Sequence, residues 1–164
     1  MRIITRSEEE TAALGEKLAS KITGGEIFAL EGEMGSGKTA FVKGVMRGLG
    51  YKEEVTSPTF SICHVYETTP IVYHYDLYRM TSLDDIFSTG LFDSCDENSV
   101  LFIEWARNTE ELGEEVKTLF FSYGEKNNER IACTARVQAG TFLPKQLYRW
   151  GRIGYNSTNM QIKE

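Results

Sequence analysis

The sequence predicts an α/β fold with a mixed, mainly parallel central sheet. Short apolar runs, which are typical of strands buried on both faces, alternate with segments in which apolar residues recur at helical spacing. Residues 27–30 form such a run and lead into a glycine-rich loop, after which a helical pattern begins at Lys38. Because residues 118–123 and 130–137 have the pattern of an antiparallel hairpin, the sheet is expected to be mixed.

The first half of the chain predicts a strand and a helix ahead of the glycine-rich loop. Residues 3–5 fit a short strand. Ser7 and Glu10 stand three residues apart, which is the spacing of a capping box, and they open a helix that continues to about Ser20. The helix after the loop is expected to end at Gly50, because a left-handed glycine commonly closes a helix.

The segment at 61–103 predicts three further strands and a short helix. The strands are expected at 61–66, 71–75 and 100–103, and the last two are largely apolar. Between them a short helix opens at Ser82 and ends at Gly90. The order of these elements suits a sheet with helices on both of its faces.

Length and charge predict one folded domain followed by a basic tail. The length of 164 residues and the 41% share of apolar residues suit a single packed domain. The net charge of -6 is uneven, because residues 1–139 carry 14 Lys and Arg against 23 Asp and Glu, whereas residues 140–164 carry 4 against 1. We expect the 1–139 domain not to bind nucleic acid by charge alone, and we assign no structure to the 140–164 tail.

Cysteine usage and hydropathy favour a reduced, aqueous compartment. Cys63, Cys95 and Cys133 are widely spaced and form no C-x-x-C pair, so reduced thiols are expected rather than disulfides or a zinc site. No stretch approaches the roughly 18 apolar residues of a membrane span, and the N-terminus leads into an acidic segment rather than a signal sequence. The expected location is cytoplasmic, without membrane contact.

Residues 32–39, with the sequence GEMGSGKT, match the phosphate-binding pattern G-x-x-x-x-G-K-[ST] in full. Glycines let backbone N–H groups surround an anion, and the N-terminus of the following helix adds the positive end of its dipole. Lys38 is expected to reach the β- and γ-phosphates, and Thr39 to offer its hydroxyl to Mg²⁺. The predicted nucleotide-binding set from this segment is Glu33, Met34, Gly35, Ser36, Gly37, Lys38, Thr39 and Ala40. The fold prediction thus becomes a three-layer sandwich of the P-loop NTPase type.

Two carboxylates stand at the ends of predicted apolar strands. Asp76 follows the strand at 71–75, and Glu104 follows the strand at 100–103. In P-loop NTPases, carboxylates in such positions hold the magnesium ion or orient the nucleophile. We expect Asp76 near the metal and Glu104 polarising the attacking water, with a solvated strand end as the alternative for each.

The segment at 56–60 lies where P-loop proteins place a switch segment, and Thr59 is expected to sense the γ-phosphate and the metal. A polar turn around Pro58 explains the same residues without a ligand. Further along, Arg79 is a candidate partner for a carboxylate or a phosphate, and Trp105 places an aromatic ring beside the second carboxylate.

Four blocks of this sequence together resemble the TsaE family, also called YjeE. The blocks are GEMGSGKT at 32–39, SPTF at 57–60, HYDLYR at 74–79 and IEW at 103–105. The first block is shared by many NTPases, but the combination is specific, and the similarity runs from about residue 5 to 137. The tail at 140–164 shows no recognised counterpart, which leaves open a lineage-specific addition, a basic contact for tRNA or a partner, or a cloning remnant.

The resemblance implies a bacterial ATPase that acts with the TsaB and TsaD proteins in making threonylcarbamoyladenosine on tRNA, next to the anticodon. The transfer itself would belong to TsaD, and tRNA would be contacted indirectly, through the complex. ATP and Mg²⁺ are the implied cofactors. The choice of ATP rests on the resemblance, because the sequence has neither an adenine signature nor the Asn-Lys-x-Asp guanine motif.

The resemblance also implies roles for residues of all four blocks. Lys38 would bind phosphate, and Glu104 would be the hydrolytic carboxylate. The implied metal site consists of Thr39, Asp76 and Glu104. The implied nucleotide contacts outside the phosphate loop are Thr59 and Trp105. Catalysis would therefore depend on Lys38, Asp76 and Glu104.

Two other functions stay open from the residues alone. A small-molecule or nucleoside kinase would use the same phosphate cradle but would need an arginine-bearing lid, and Arg107, Arg130 and Arg136 are scattered. A non-catalytic module that uses nucleotide only to order its switch segment for a partner is the second alternative.

Overall fold

A computed structural model of the chain describes residues 2–106, 116–126 and 128–135. The predicted 140–164 tail lies outside the described residues, as do Arg107 and Arg136. The described strands are β1 Arg2–Thr5, β2 Ile27–Gly32, β3 Cys63–Tyr66, β4 Ile71–Asp76, β5 Ser99–Glu104, β6 Lys117–Tyr123 and β7 Arg130–Ala135. The described helices are α1 Glu8–Ala19, α2 Lys38–Gly48, α3 Leu83–Ser88 and a 3₁₀ helix at Phe92–Ser94. No helix among these described segments is both long enough and apolar enough to cross a membrane.

The seven strands form one sheet in the order β1-β7-β6-β2-β5-β4-β3. The four central strands β6, β2, β5 and β4 are parallel to one another. The outer pairs β1–β7, β6–β7 and β3–β4 are antiparallel. The structure thus confirms the predicted mixed sheet with a parallel centre. Because parallel strands end at the same edge, the segments that follow β2, β4 and β5 meet there.

Apolar side chains cover both faces of the sheet and make three layers. On one face α1 and α2 pack over Phe28 and Phe102, whose rings stack with centroids 5.0 Å apart. On the other face the segment around α3 and the 3₁₀ helix contributes Leu91, which is fully buried with Leu101 and Ile103. The predicted three-layer α/β sandwich is confirmed.

Helices α1 and α2 approach each other closely because glycines face the contact. A Cβ atom at Gly15 would lie 2.0 Å from the carbonyl oxygen of Phe41, and one at Gly44 would lie 1.8 Å from the carbonyl oxygen of Ala12. Neither position has room for a side chain. The close crossing brings the first turn of α1 beside α2, so that Thr11 reaches the glycine-rich loop.

Two local predictions require correction. The Ser7 hydroxyl caps α1 as expected by accepting a hydrogen bond from the Glu10 N–H at 3.0 Å. The Glu10 carboxylate, however, accepts from the Arg6 N–H at 2.7 Å, which shifts the capping box by one residue. The strand predicted at 61–66 begins only at Cys63, because Ile62 has a φ of 69° and leaves the extended conformation.

Candidate nucleotide and metal site

The glycine-rich loop places unpaired backbone donors at the start of α2. Gly37 precedes the helix with a φ of 108°, a conformation that favours glycine, and provides no side-chain cap. The N–H groups of the first helical turn are therefore available to an anion, which the helix dipole also attracts. Gly32 approaches β6 so closely that a Cβ atom there would lie 2.1 Å from the Phe121 carbonyl oxygen. The local geometry is that of a phosphate cradle.

Lys38 lies at the base of this loop and is only 4% exposed. Its Nζ donates hydrogen bonds to the carbonyl oxygens of Gly32 at 2.8 Å and Glu33 at 3.0 Å. The Nζ also lies 3.9 Å from Glu104 Oε2 and 4.4 Å from the centre of the Trp105 ring. Burial lowers the pKa of Lys38, and the charge of Glu104 opposes that shift. The ammonium group is thus held beneath the loop that would surround the phosphates.

The Glu104 carboxylate lies at the end of β5, beside the loop, and is 4% exposed. Its Oε1 accepts one hydrogen bond from the Thr39 hydroxyl and one from His74 Nε2, both at 3.0 Å. Burial alone would raise the pKa of Glu104, but the hydrogen bond from His74, the charge of Lys38 and the hydroxyl of Thr39 lower it below its ordinary value. The carboxylate therefore stays ionised beside the Thr39 hydroxyl.

Glu104 is expected to make the free energy of unfolding depend on pH in acid. Its folded-state pKa lies below the ordinary value of 4.5, which applies to the unfolded chain. The unfolded state therefore binds more protons between the two values, so the stabilisation is complete above 4.5 and is lost as pH falls through the folded-state pKa. Urea unfolding of wild type and Glu104→Gln from roughly pH 3 to 7 checks this, because the stability difference should shrink towards acid. A constant or growing difference contradicts it.

Asp76, at the end of β4, is bound by the predicted switch segment. Its Oδ2 accepts a hydrogen bond from the Thr59 hydroxyl at 2.8 Å, and its Oδ1 accepts from the Tyr78 N–H at 3.0 Å. Ser57 and Thr59 are linked by a hydroxyl–hydroxyl contact of 2.8 Å. The strand register pairs Asp76 with Glu104, so the two carboxylate residues stand side by side at the edge of the sheet.

Trp105 follows β5 directly and has a φ of 60°, which is uncommon for a residue with a side chain. Such a conformation costs about 1 kcal/mol or more, so the surrounding contacts must hold it. The Trp105 ring makes an edge contact with Tyr78, with centroids 5.0 Å apart. The left-handed turn brings the indole over the Lys38 ammonium group rather than continuing the strand.

One cavity of about 530 Å³ unites most of the predicted site. The predicted residues that line it are Met34, Gly35, Gly37, Lys38, Thr39, Ala40, Thr59, Asp76, Glu104 and Trp105. Two predicted contacts do not line it. The side chain of Ser36 is fully buried, and Glu33 instead gives its carbonyl oxygen to Lys38. Any contact from these two positions to a nucleotide would come from the backbone.

Several lining residues were missed in the sequence because they come from distant elements. Thr11 reaches the cavity from α1, and Arg130 reaches it from β7. Arg130 Nε donates to the Gly35 carbonyl oxygen at 3.1 Å, and the Tyr123 hydroxyl donates to the Met34 carbonyl oxygen at 2.6 Å. These two contacts brace the phosphate loop from β6 and β7. No local sequence pattern marks them.

The donor set at this site fits Mg²⁺ together with phosphate oxygens. Hydroxyl and carboxylate oxygens are available from Thr39, Glu104 and Asp76, and hard cations prefer oxygen ligands. The described part of the chain contains no cluster of three or more His, Cys, Asp or Glu residues suited to a metal. This composition suits Mg²⁺, which usually takes one or two protein ligands and completes its shell with phosphate and water.

Comparison with known proteins points to one family. The family model described as "Threonylcarbamoyl adenosine biosynthesis protein TsaE" matches residues 5–132, a range that contains all four sequence blocks. A Treponema pallidum protein named tRNA threonylcarbamoyladenosine biosynthesis protein TsaE is 40% identical over 132 residues, which cover 80% of this chain and 98% of that protein.

Two Bacillus subtilis matches extend the comparison. A protein of the same name is 39% identical over 151 residues, covering 91% of this chain and 94% of that protein. A share of 91% of the 164-residue chain is more than residues 1–139 contain. The alignment therefore extends into the 140–164 segment. The crystal structure of YdiB is 31% identical, with a TM-score of 0.65, and the match covers 82% of this chain and 83% of that chain.

Proposed function

This chain belongs to the TsaE family, and from that premise we propose that it is a Mg²⁺-dependent ATPase acting in the threonylcarbamoyladenosine modification of tRNA. The observation that carries the proposal is the meeting of Lys38, Thr39 and Glu104 at the end of the phosphate loop. Thr39 contacts the Glu104 carboxylate at 3.0 Å, and Lys38 lies 3.9 Å from it. A phosphate ligand, a metal ligand and a hydrolytic carboxylate thus share one cavity.

Each residue has a distinct part in the proposed reaction. The free backbone N–H groups at the start of α2 would hold the phosphate chain, and Lys38 would place its positive charge on the β- and γ-phosphates. Thr39 would hold Mg²⁺ through its hydroxyl oxygen, while the hydroxyl proton is donated to Glu104. Mg²⁺, when bound, neutralises charge on the phosphate oxygens. Glu104 orients the attacking water and accepts its proton.

Asp76 is held in place by the switch segment in this proposal. Its two oxygens accept hydrogen bonds from the Thr59 hydroxyl and from the Tyr78 N–H. When Mg²⁺ is bound, Asp76 would supply negative charge and oxygen ligands on the metal side of the cavity. We assign Thr59 to the switch segment, because its bond to Asp76 connects that segment to the metal side of the cavity. Trp105 covers Lys38 and borders the nucleotide.

We propose that the chain works with TsaB and TsaD, and meets tRNA only through their complex. The relatives from Treponema pallidum and Bacillus subtilis are named for tRNA threonylcarbamoyladenosine biosynthesis. The strongly negative balance of residues 1–139 argues against direct tRNA binding by the folded domain. Hydrolysis by this protein would then serve the cycle of the complex, while TsaD carries out the transfer.

Phosphate release from ATP, measured with and without TsaB and TsaD, tests the function. We expect Mg²⁺-dependent turnover that rises when both partners are present, because NTPases of this class can depend on partners for catalytic geometry. Chelation of Mg²⁺ should abolish it, and a reconstituted tRNA modification reaction should stop when this protein is omitted.

Two results contradict the proposed function. Tight nucleotide binding without turnover in the complete assembly indicates a binding module. Transfer of the γ-phosphoryl group to a metabolite rather than to water indicates a kinase. A scan of candidate acceptors alongside the hydrolysis assay separates the two.

A further inference from the structure

His74 is a fully buried histidine in the interior of β4, and neither the phosphate loop nor the metal ligands explain it. The side chain is 0% exposed. It lies two residues before Asp76, so the two side chains project from the same face of the strand. Its Nε2 lies 3.0 Å from Glu104 Oε1. The residue therefore contacts the proposed hydrolytic carboxylate but is not among the residues that line the cavity.

The hydrogen bond has one direction. Nδ1 of His74 is buried and has no hydrogen-bond partner among the residues that the structure describes. A proton on Nδ1 would be a buried donor without an acceptor, and it would leave the Nε2 lone pair facing the carboxylate. The hydrogen-bond network thus assigns the proton to Nε2, which donates to Glu104.

A donor in this position orients the carboxylate. Glu104 Oε1 receives two hydrogen bonds, from Thr39 on the cavity side and from His74 on the interior side. These two bonds fix the rotation of the carboxylate, and Oε2 is left nearest to Lys38.

We propose that His74 is a positioning residue that holds the Glu104 carboxylate against the Thr39 hydroxyl, the two groups that would hold Mg²⁺. The inference rests on the proposed function, since it assigns a role within the same Mg²⁺ site. Carboxylates at metal sites depend on such outer hydrogen bonds, and loss of one typically lowers metal affinity by about 10-fold to 100-fold. The expected defect therefore lies in the contribution of Mg²⁺ to nucleotide binding, and the phosphate loop itself stays intact.

Three substitutions separate the hydrogen bond from the volume of the ring. His74→Leu fills the space without a donor. His74→Gln places an amide N–H at about the position of Nε2, whereas His74→Asn places it at about the position of Nδ1. His64 offers a matched control because it pairs with His74 across β3 and β4, and its own Nδ1 faces the Tyr66 hydroxyl at 3.5 Å.

Calorimetric titration of the full chain with ADP, in Mg²⁺ and in EDTA, is the decisive measurement. The ratio of the two affinities gives the gain due to Mg²⁺. We expect His74→Leu and His74→Asn to reduce this gain by about 10-fold to 100-fold, and His74→Gln and His64→Leu to leave it near the wild-type value. ADP affinity in EDTA should be the same for all of them. Thermal unfolding without nucleotide identifies any variant that fails to fold.

Several outcomes overturn the role of His74 while the proposed function stands. The first is a His74→Leu variant in which Mg²⁺ raises the ADP affinity as much as in wild type. The second is an equal reduction of this Mg²⁺ effect in His74→Gln and His74→Asn, which would show that the position of the donor does not matter. The third is an ADP affinity that falls as much in EDTA as in Mg²⁺, which would indicate that the phosphate loop itself has collapsed. If His74→Leu does not fold, the comparison of Gln with Asn decides. If Mg²⁺ does not raise the ADP affinity of the wild-type chain, both the role of His74 and the proposed function are overturned.

Discussion

Replacing Lys38 with alanine is expected to lower ATP turnover by at least about 100-fold, the size of effect that follows from removing one preorganised charge-stabilising group. The ammonium group is held beneath the phosphate loop by two loop carbonyls and lies beside Glu104, the position from which it would contact the phosphates. Charge developing on the γ-phosphoryl oxygens would lose its main protein counter-charge. Phosphate release in the presence of TsaB and TsaD measures the effect.

The control for this variant must keep the same residue type and lie outside the cavity. Lys17→Ala meets that condition, because Lys17 is exposed in the last turn of α1. Lys38→Met is a useful second variant, since it keeps most of the side-chain stem where alanine leaves a gap. The assignment of Lys38 is wrong if both Lys38 variants fold and turn over ATP at the rate of Lys17→Ala.

Glu104→Gln is expected to lower the rate constant for hydrolysis by about 100-fold to 10,000-fold while nucleotide binding remains. Glutamine keeps the size of the side chain and can still accept a hydrogen bond from Thr39. It cannot accept a proton from water, and its neutral head attracts Mg²⁺ less strongly. Single-turnover hydrolysis with saturating Mg²⁺ and ATP separates the chemical step from binding.

Glu16→Gln provides the matched control for this change. Glu16 is exposed on α1 and pairs with Arg47 at 3.0 Å on the surface of the helix pair, where ion pairs contribute little. We expect its turnover to equal that of wild type. Full activity in Glu104→Gln would assign the hydrolytic role to another group, with Asp76 the nearest carboxylate in the strand register.

The two substitutions should differ in what they change. In the proposed mechanism Lys38 would contact the phosphates in the ground state as well as in the transition state, so its loss should weaken ATP binding and slow hydrolysis. Glu104 would act on the water, so its loss should appear in the hydrolytic step with ADP affinity in EDTA unchanged. Because Lys38 and Glu104 lie 3.9 Å apart, the effects of the two changes are not expected to add in the double variant.

The parts of the site that depend on local chain geometry were predictable from the amino-acid sequence alone. The GEMGSGKT segment predicts a phosphate cradle because glycine conformation, backbone N–H direction and the start of a helix are local properties. The strand ends at Asp76 and Glu104 were likewise predicted from apolar runs, and the structure gives them adjacent positions. The family also followed from sequence, because four blocks in a fixed order are specific together.

The contacts between groups that are distant in the chain became known from the folded structure. The alternation of side chains along a strand predicts that His74 and Asp76 project from the same face of β4. That Glu104 accepts the His74 hydrogen bond depends on the register of β4 against β5. Thr11 and Arg130 line the cavity from α1 and β7, which are far apart in the chain. Backbone conformation is set by residues that are near neighbours in the chain. The contacts of Thr11 and Arg130 depend instead on the strand order and on the close crossing of α1 and α2, and no local sequence pattern encodes either of these.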